Sequence, residues 1–211
     1  LGATKSPAAG MSEDSASPSR REAAFFYIAK QVGLGQHVPH TDLVLLSGKE
    51  YAAIKLLPWG TRSLYKVKQE NEVRIRRVMS EYVRDGVAYQ WGILDWILGN
   101  TDRHAQNLMI NSGNKVFLID HGSAFAGREF APGTDKYTFI PYYLRLWAPE
   151  TFHRLLPEDK LKRLPRLGRQ SEESVRGWFK SIDLERLKDV LVRYGIDPGP
   201  VVGRFNTLKE R

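Results

Sequence analysis

One stretch constrains this chain more than any other: a polar loop between an apolar helix and a short hairpin, within residues 91–122. The run Trp91-Gly92-Ile93-Leu94-Asp95-Trp96-Ile97-Leu98 reads as a buried helix, and Gly99-Asn100 is its stop signal. Asp102, His104 and Asn107 follow in a polar loop. Leu108–Ile110 and Val116–Ile119 are two short apolar runs, separated by the strong turn signal Asn111-Ser112-Gly113-Asn114. The second run ends on Asp120. A hairpin brings its outer ends together, so Asn107 and Asp120 are expected side by side.

These residue types suit phosphoryl transfer. That chemistry needs a carboxylate to orient or deprotonate the acceptor hydroxyl, and oxygen ligands for Mg²⁺ on the nucleotide phosphates. Asp102 can be the base. Asn107, five residues on, has the Asp-x-x-x-x-Asn spacing of kinase catalytic loops, and Asp120 supplies a metal-binding carboxylate at the end of a strand. The competing reading is a tight polar loop in which Asp102 only turns or caps the chain.

Asn100-Thr101-Asp102-Arg103-His104-Ala105-Gln106-Asn107, followed by Ile119-Asp120-His121-Gly122-Ser123-Ala124-Phe125, resembles the active site of the phosphatidylinositol 3-/4-kinase-like group, which includes the HipA-type bacterial protein kinases. In that group the histidine follows the aspartate, whereas other protein kinases read His-Arg-Asp. His121 stands where the Phe of Asp-Phe-Gly would be. The resemblance implies a two-lobed, α+β, protein-kinase-like fold and ATP and Mg²⁺ as cofactors. It implies Asp102 and His104 as catalytic residues, and Asn107 and Asp120 as metal ligands.

Composition sets outer bounds. The chain has 211 residues, 42% hydrophobic and 27% charged, in the range of a globular protein of one domain or two small lobes. No apolar run approaches the roughly 18 residues of a membrane span. There are no cysteines, so disulfides and thiolate metal sites are excluded, which fits a reducing, cytoplasmic setting. The first residue is Leu1 rather than Met, as in a processed product or a fragment. The net charge of +8 fits acidic partners or simply a soluble basic surface.

Residues 1–20 are rich in Ala, Ser, Pro and Gly and read as loop. Ser19-Arg20-Arg21-Glu22 reads as a capping box opening a helix that continues through Val32 and stops at Gly33-Leu34-Gly35. Arg-Glu-Ala-Ala-x-x-Tyr from Arg21, with Gly33-Leu34-Gly35 and Val38-Pro39, resembles helix C of the same kinase group. By that resemblance Glu22 pairs with Lys5, the only lysine before it, and holds it toward the nucleotide phosphates. Thr41–Leu46 and Tyr51–Leu57 read as strands around a turn at Ser47–Glu50. Leu56–Gly60 approaches the hinge, where the Leu57 backbone meets adenine and Trp59 either covers the ring or packs. A competing assignment makes Ala52-Ala53-Ile54-Lys55 the nucleotide-lysine strand, with Glu70 or Glu72 as partner.

The expected small N-terminal lobe is residues 1–60, and the helical C-terminal lobe is residues 61–211. Within the latter, residues 64–84 read as one charged helix and 87–98 as the buried helix. Residues 122–135 have activation-segment placement, 137–147 are aromatic and apolar, and 153–169 hold a basic run. Residues 171–194 read as helices ended by Gly195 and Pro198-Gly199-Pro200.

The leading expectation is a kinase acting on a protein Ser/Thr hydroxyl, with an acidic protein as a fitting substrate. One alternative is a phosphoinositide-type lipid kinase. Another is a kinase-fold binding module with weak catalysis. Only Gly2 and Gly10 precede the helix and no Gly-x-Gly-x-x-Gly occurs, so either the chain is truncated upstream, or phosphate is held differently, or catalysis is weak as in the binding module. Nucleic-acid binding is disfavoured, because the basic runs carry no recognisable motif.

Overall fold

The computed structural model describes residues 16–100, 102–125 and 169–210. Lys5, the activation-like segment from residue 126 onward, the aromatic run 137–147 and the basic run up to residue 168 lie outside them.

Helix α1 spans Pro18–Gln31. Its cap is Ser17, not Ser19: the Ser17 hydroxyl accepts from the Arg20 N–H at 3.3 Å, and Pro18 fills the first turn. A proline there loses no hydrogen bond, so the helix opens earlier than the Ser19–Glu22 pattern suggests. Glu22 is thereby released from capping and sits buried inside the helix. Gly33, at φ +81°, turns the chain out at the other end. A short 3₁₀ turn follows at Gly35–His37.

Strands β1 (Thr41–Leu46) and β2 (Lys49–Ile54) form an antiparallel hairpin in which Thr41 faces Ile54 and Leu46 faces Lys49. Ser47 and Gly48 both take positive φ, the geometry of a two-residue turn that matches strand twist. The turn is therefore shorter than Ser47–Glu50, and β2 starts at Lys49 and ends before Lys55. A second sheet has the order β3-β4-β5, all antiparallel: Arg62–Ser63, Leu108–Ile110 and Val116–Leu118. The two-residue β3 carries no periodicity that a sequence reading could detect.

The charged segment 64–84 is two helices, α2 (Leu64–Glu70) and α3 (Glu72–Arg84). Asn71 divides them, its side chain accepting from the Arg74 N–H at 2.9 Å. Helix α4 (Val87–Ile97) is the buried one. After the undescribed region come α5 (Arg169–Lys180), α6 (Leu184–Arg193) and α7 (Gly199–Lys209). Gly199 and Pro200 begin α7 rather than terminate the helical region, again because proline suits a first turn.

One hydrophobic cluster runs through the described residues, joining Phe25 and Ile28 of α1, Trp91 and Ile97 of α4, Leu108 of β4 and Leu191 of α6. Helix α1 lies against the β1–β2 hairpin and against α6. Tyr27 donates to Asp42 of β1 at 2.8 Å, Arg20 clamps Glu50 of β2 with two bonds, and Trp178 of α5 donates to Val32 O at 2.6 Å. Among the described residues no helix is long and apolar enough to cross a membrane.

Candidate active site

The site begins where α4 ends. Gly99, at φ +63°, closes the helix: its N–H donates to Trp96 O at 3.1 Å, and the Asn100 N–H reaches Asp95 O at 2.8 Å. This pair of bonds satisfies the last carbonyls and needs a left-handed residue, which glycine supplies. The chain therefore leaves the core abruptly, and Asn100 follows with its side chain wholly buried. The Asn100 amide donates to Asp95 at 2.7 Å, and its oxygen accepts the Asp102 N–H at 3.4 Å.

Arg103 organises what surrounds the loop. Its guanidinium is buried and grips the Asp95 carboxylate with Nε at 2.9 Å and a second nitrogen at 3.1 Å. The same group donates to Asn107 O at 3.1 Å, to Ile119 O at 2.7 Å and to His121 Nδ1 at 2.8 Å. One side chain thus ties α4, the loop, the end of the hairpin and the segment after Asp120. A guanidinium only donates, so His121 Nδ1 must accept. His121 Nε2 lies 3.2 Å from Leu118 O, which can only accept. A neutral imidazole with its proton on Nε2 satisfies both.

His121 also stacks on Phe25 of α1, ring centroids 3.7 Å apart and nearly parallel. Glu22, one turn earlier on α1, accepts the N–H groups of His121 and Gly122 through one oxygen, at 2.8 and 3.1 Å. The helix C-like segment is therefore bolted to the residues that follow Asp120.

Of the predicted catalytic and metal residues, Asp102, His104 and Asn107 lie on this loop, and Asp120 follows the strand paired beside it. The carboxylate of Asp102 is half-exposed, and His104 Nε2 lies 3.7 Å from it. His104 Nδ1 accepts the Gln106 N–H at 3.2 Å. Asn107 is buried; its amide nitrogen donates to Asp102 O at 2.8 Å, so Oδ1 is the atom that could hold a metal. Across the hairpin the Ile119 N–H donates to Asn107 O at 3.0 Å, so Asp120 is the next residue beyond that pair. Regular alternation would send the two side chains to opposite faces. The strand stops at Leu118, however, and Asp120 adopts φ +60°, so the alternation does not reach it.

The other predicted residues lie elsewhere. Leu57 borders an open groove behind the β1–β2 hairpin, and the Trp59 side chain is fully exposed rather than packed. Among the described residues Glu70 pairs with Arg62 and Glu72 with Arg76, and neither bonds Lys55. Asp95 escaped the sequence reading. A lone carboxylate in an apolar helix was the signal for it, since such a group needs a buried cation.

Residues 55–160, half of the chain, match the family model for phosphatidylinositol 3- and 4-kinases. The chain belongs to that family. No curated protein matches it. Among solved structures it is similar to the Helicobacter pylori proinflammatory kinase CtkA, with 13% identity, a TM-score of 0.49, and 92% of this chain and 78% of that chain covered.

The family match spans residues 56–60, the Asp102–Asn107 loop and Asp120, and ends within the undescribed segment. The fold of this phosphatidylinositol 3- and 4-kinase family member is kinase-like and α+β. Helix α1, which carries Glu22 and Phe25, precedes the matched region.

Proposed function

We propose that the chain is an ATP- and Mg²⁺-dependent kinase whose acceptor is a protein Ser/Thr hydroxyl. The observation that carries this is the Arg103 staple. It holds the Asp102 loop, Asn107 and the Asp120 turn in one rigid arrangement with an open side at Asp102. Asp102 would orient the acceptor hydroxyl and take its proton, with His104 beside it to share that proton or to stabilise the transferring group as a cation. Asn107 Oδ1 and the Asp120 carboxylate would hold Mg²⁺.

Among the described residues no group of three or more His, Asp or Glu is arranged to hold a metal ion. A site of one carboxylate and one amide oxygen fits Mg²⁺, which keeps its waters and takes other ligands from nucleotide phosphates. When bound, the ion neutralises charge on those phosphates. Lys5, held by Glu22, would contact the phosphates. The Leu57 backbone would meet the adenine, and the exposed Trp59 would cover it. Residues 122–136 carry only two cations, Arg128 and Lys136, which favours a protein acceptor over an inositol phosphate.

The test is transfer from labelled ATP with Mg²⁺, to an acidic protein and to phosphatidylinositol vesicles in parallel. Asp102→Ala should retain ATP binding and lose roughly 10²–10⁴-fold in transfer, the usual scale for a general base. Asp120→Ala should impair both binding and transfer. Faster transfer to the vesicles replaces the protein acceptor with a lipid. Binding of ATP without transfer under any divalent metal leaves a binding module. Undiminished transfer by Asp102→Ala makes another group the base.

A further inference from the structure

A groove of about 850 Å³ opens beside the segment that follows β2, and no residue of the Asp102–Asn107 loop lines it. Its walls come from the C-terminal half of α1 (Phe26, Lys30), the segment after β2 (Lys55, Leu56) and the β4–β5 hairpin (Lys115, Phe117). Leu57, whose backbone is assigned above to the adenine, borders it on one side, while none of Glu22, Asp102, Asn107 or Asp120 lines it. Three lysines rim it, and no Asp or Glu does. All three lysines are exposed, and among the described residues none of them enters a salt bridge. The rest of the lining is mostly apolar, and Leu56, at 67% exposure, stands open beside the lysines.

Uncovered apolar surface with an uncompensated basic rim asks for a partner that is both apolar and acidic. A compact phosphate dianion fits poorly. The rim has no arginine fork to meet it bidentately, only separate lysines. Carboxylates spaced along a peptide can each meet a separate lysine while an apolar side chain rests on the exposed Leu56. We propose that this groove is a docking site for acidic peptide segments that carry an aromatic or aliphatic anchor. A segment of the acceptor protein is the natural occupant. That identity, though not the binding itself, rests on the kinase reading above.

The probe is a fluorescently labelled random copolymer of Glu and Tyr, followed by anisotropy on the full chain, with polyglutamate and polyuridylate alongside. The triple variant Lys30→Glu, Lys55→Glu, Lys115→Glu should weaken copolymer binding at least about tenfold, the compounded effect of three exposed ion pairs. The triple Lys66→Glu, Lys68→Glu, Lys209→Glu makes the same change of net charge on other surfaces and should change binding less than about twofold. Leu56→Ser should weaken the copolymer and leave polyglutamate unchanged, which isolates the apolar anchor. Equal losses in both triples, or no binding by the unmodified chain, overturn the proposal. So does tighter binding of polyuridylate through the same lysines, which would make the ligand a nucleic acid. Retained ATP affinity in the groove triple is expected; its loss would return Lys55 to the nucleotide and overturn the docking role. None of these readouts requires phosphoryl transfer, so an inactive enzyme that binds the copolymer through the groove upholds the site while refuting the kinase reading.

Discussion

At the scale of single residues, Arg103 carries more of this site than the residues that would touch substrate. Its guanidinium and the Asp95 carboxylate are both almost wholly excluded from water. Removing one partner of such a pair strands the other charge, which costs about 3–5 kcal/mol. Arg103→Leu should therefore destabilise the chain by that amount in urea titration. Adding Asp95→Leu should recover part of the loss, because no orphaned carboxylate remains; recovery will be incomplete, since the carbonyls of Asn107 and Ile119 also lose their donor. A double variant no more stable than the single one would mean that the carboxylate is satisfied elsewhere. Asp102, His104, Asn107 and Asp120 stand out in the sequence as candidates because their residue types and short spacings form a local pattern. The Asp95–Arg103 pairing was not, because the contact depends on how a helix end folds back on its own loop.

Elements show where local signals suffice and where they compete. The β1–β2 hairpin, the buried α4 and the β4–β5 hairpin follow from apolar runs and turn residues, and all three occur. The start of α1 was misplaced because two capping serines compete, and Pro18 decides for Ser17. The 3₁₀ turn at Gly35–His37 illustrates a tertiary anchor on a short element. Val116 O can only accept, so His37 Nδ1, 3.0 Å away, carries the proton and donates. Burial pushes the pKa of this ring below its ordinary value, outweighing the opposing hydrogen bond to Val116; Lys115 nearby lowers it further. The sign follows: the unfolded chain takes the proton first, near pH 6.5, so this stability is complete above that pH and is lost as pH falls below it. The melting temperature should decline between pH 7.5 and 5.5, and His37→Phe should flatten part of that decline. An identical slope in the variant would assign the decline to other groups.

Across the whole molecule, α1 joins parts that the sequence suggests are separate lobes. Its apolar side chains share one cluster with α4 and the C-terminal helices, while its polar ones clamp β1, β2 and the segment after Asp120. Residues on both sides of position 60 thus contribute to a common core. Unfolding in urea followed by tryptophan fluorescence and by far-ultraviolet circular dichroism should give coincident midpoints, as for one cooperative unit. Two separated transitions would instead make the boundary at residue 60 a true division between folding units. The kinase-like family was determined by sequence alone, because its motifs are fixed residue types at short spacings. Which buried charges meet, that Glu22 holds the backbone after Asp120, and that three lysines from distant segments rim one groove were decided only by the tertiary structure. Those contacts join residues up to about a hundred positions apart. No local pattern encodes such pairings; they arise from the packing that buries α1 between the hairpin and the helices.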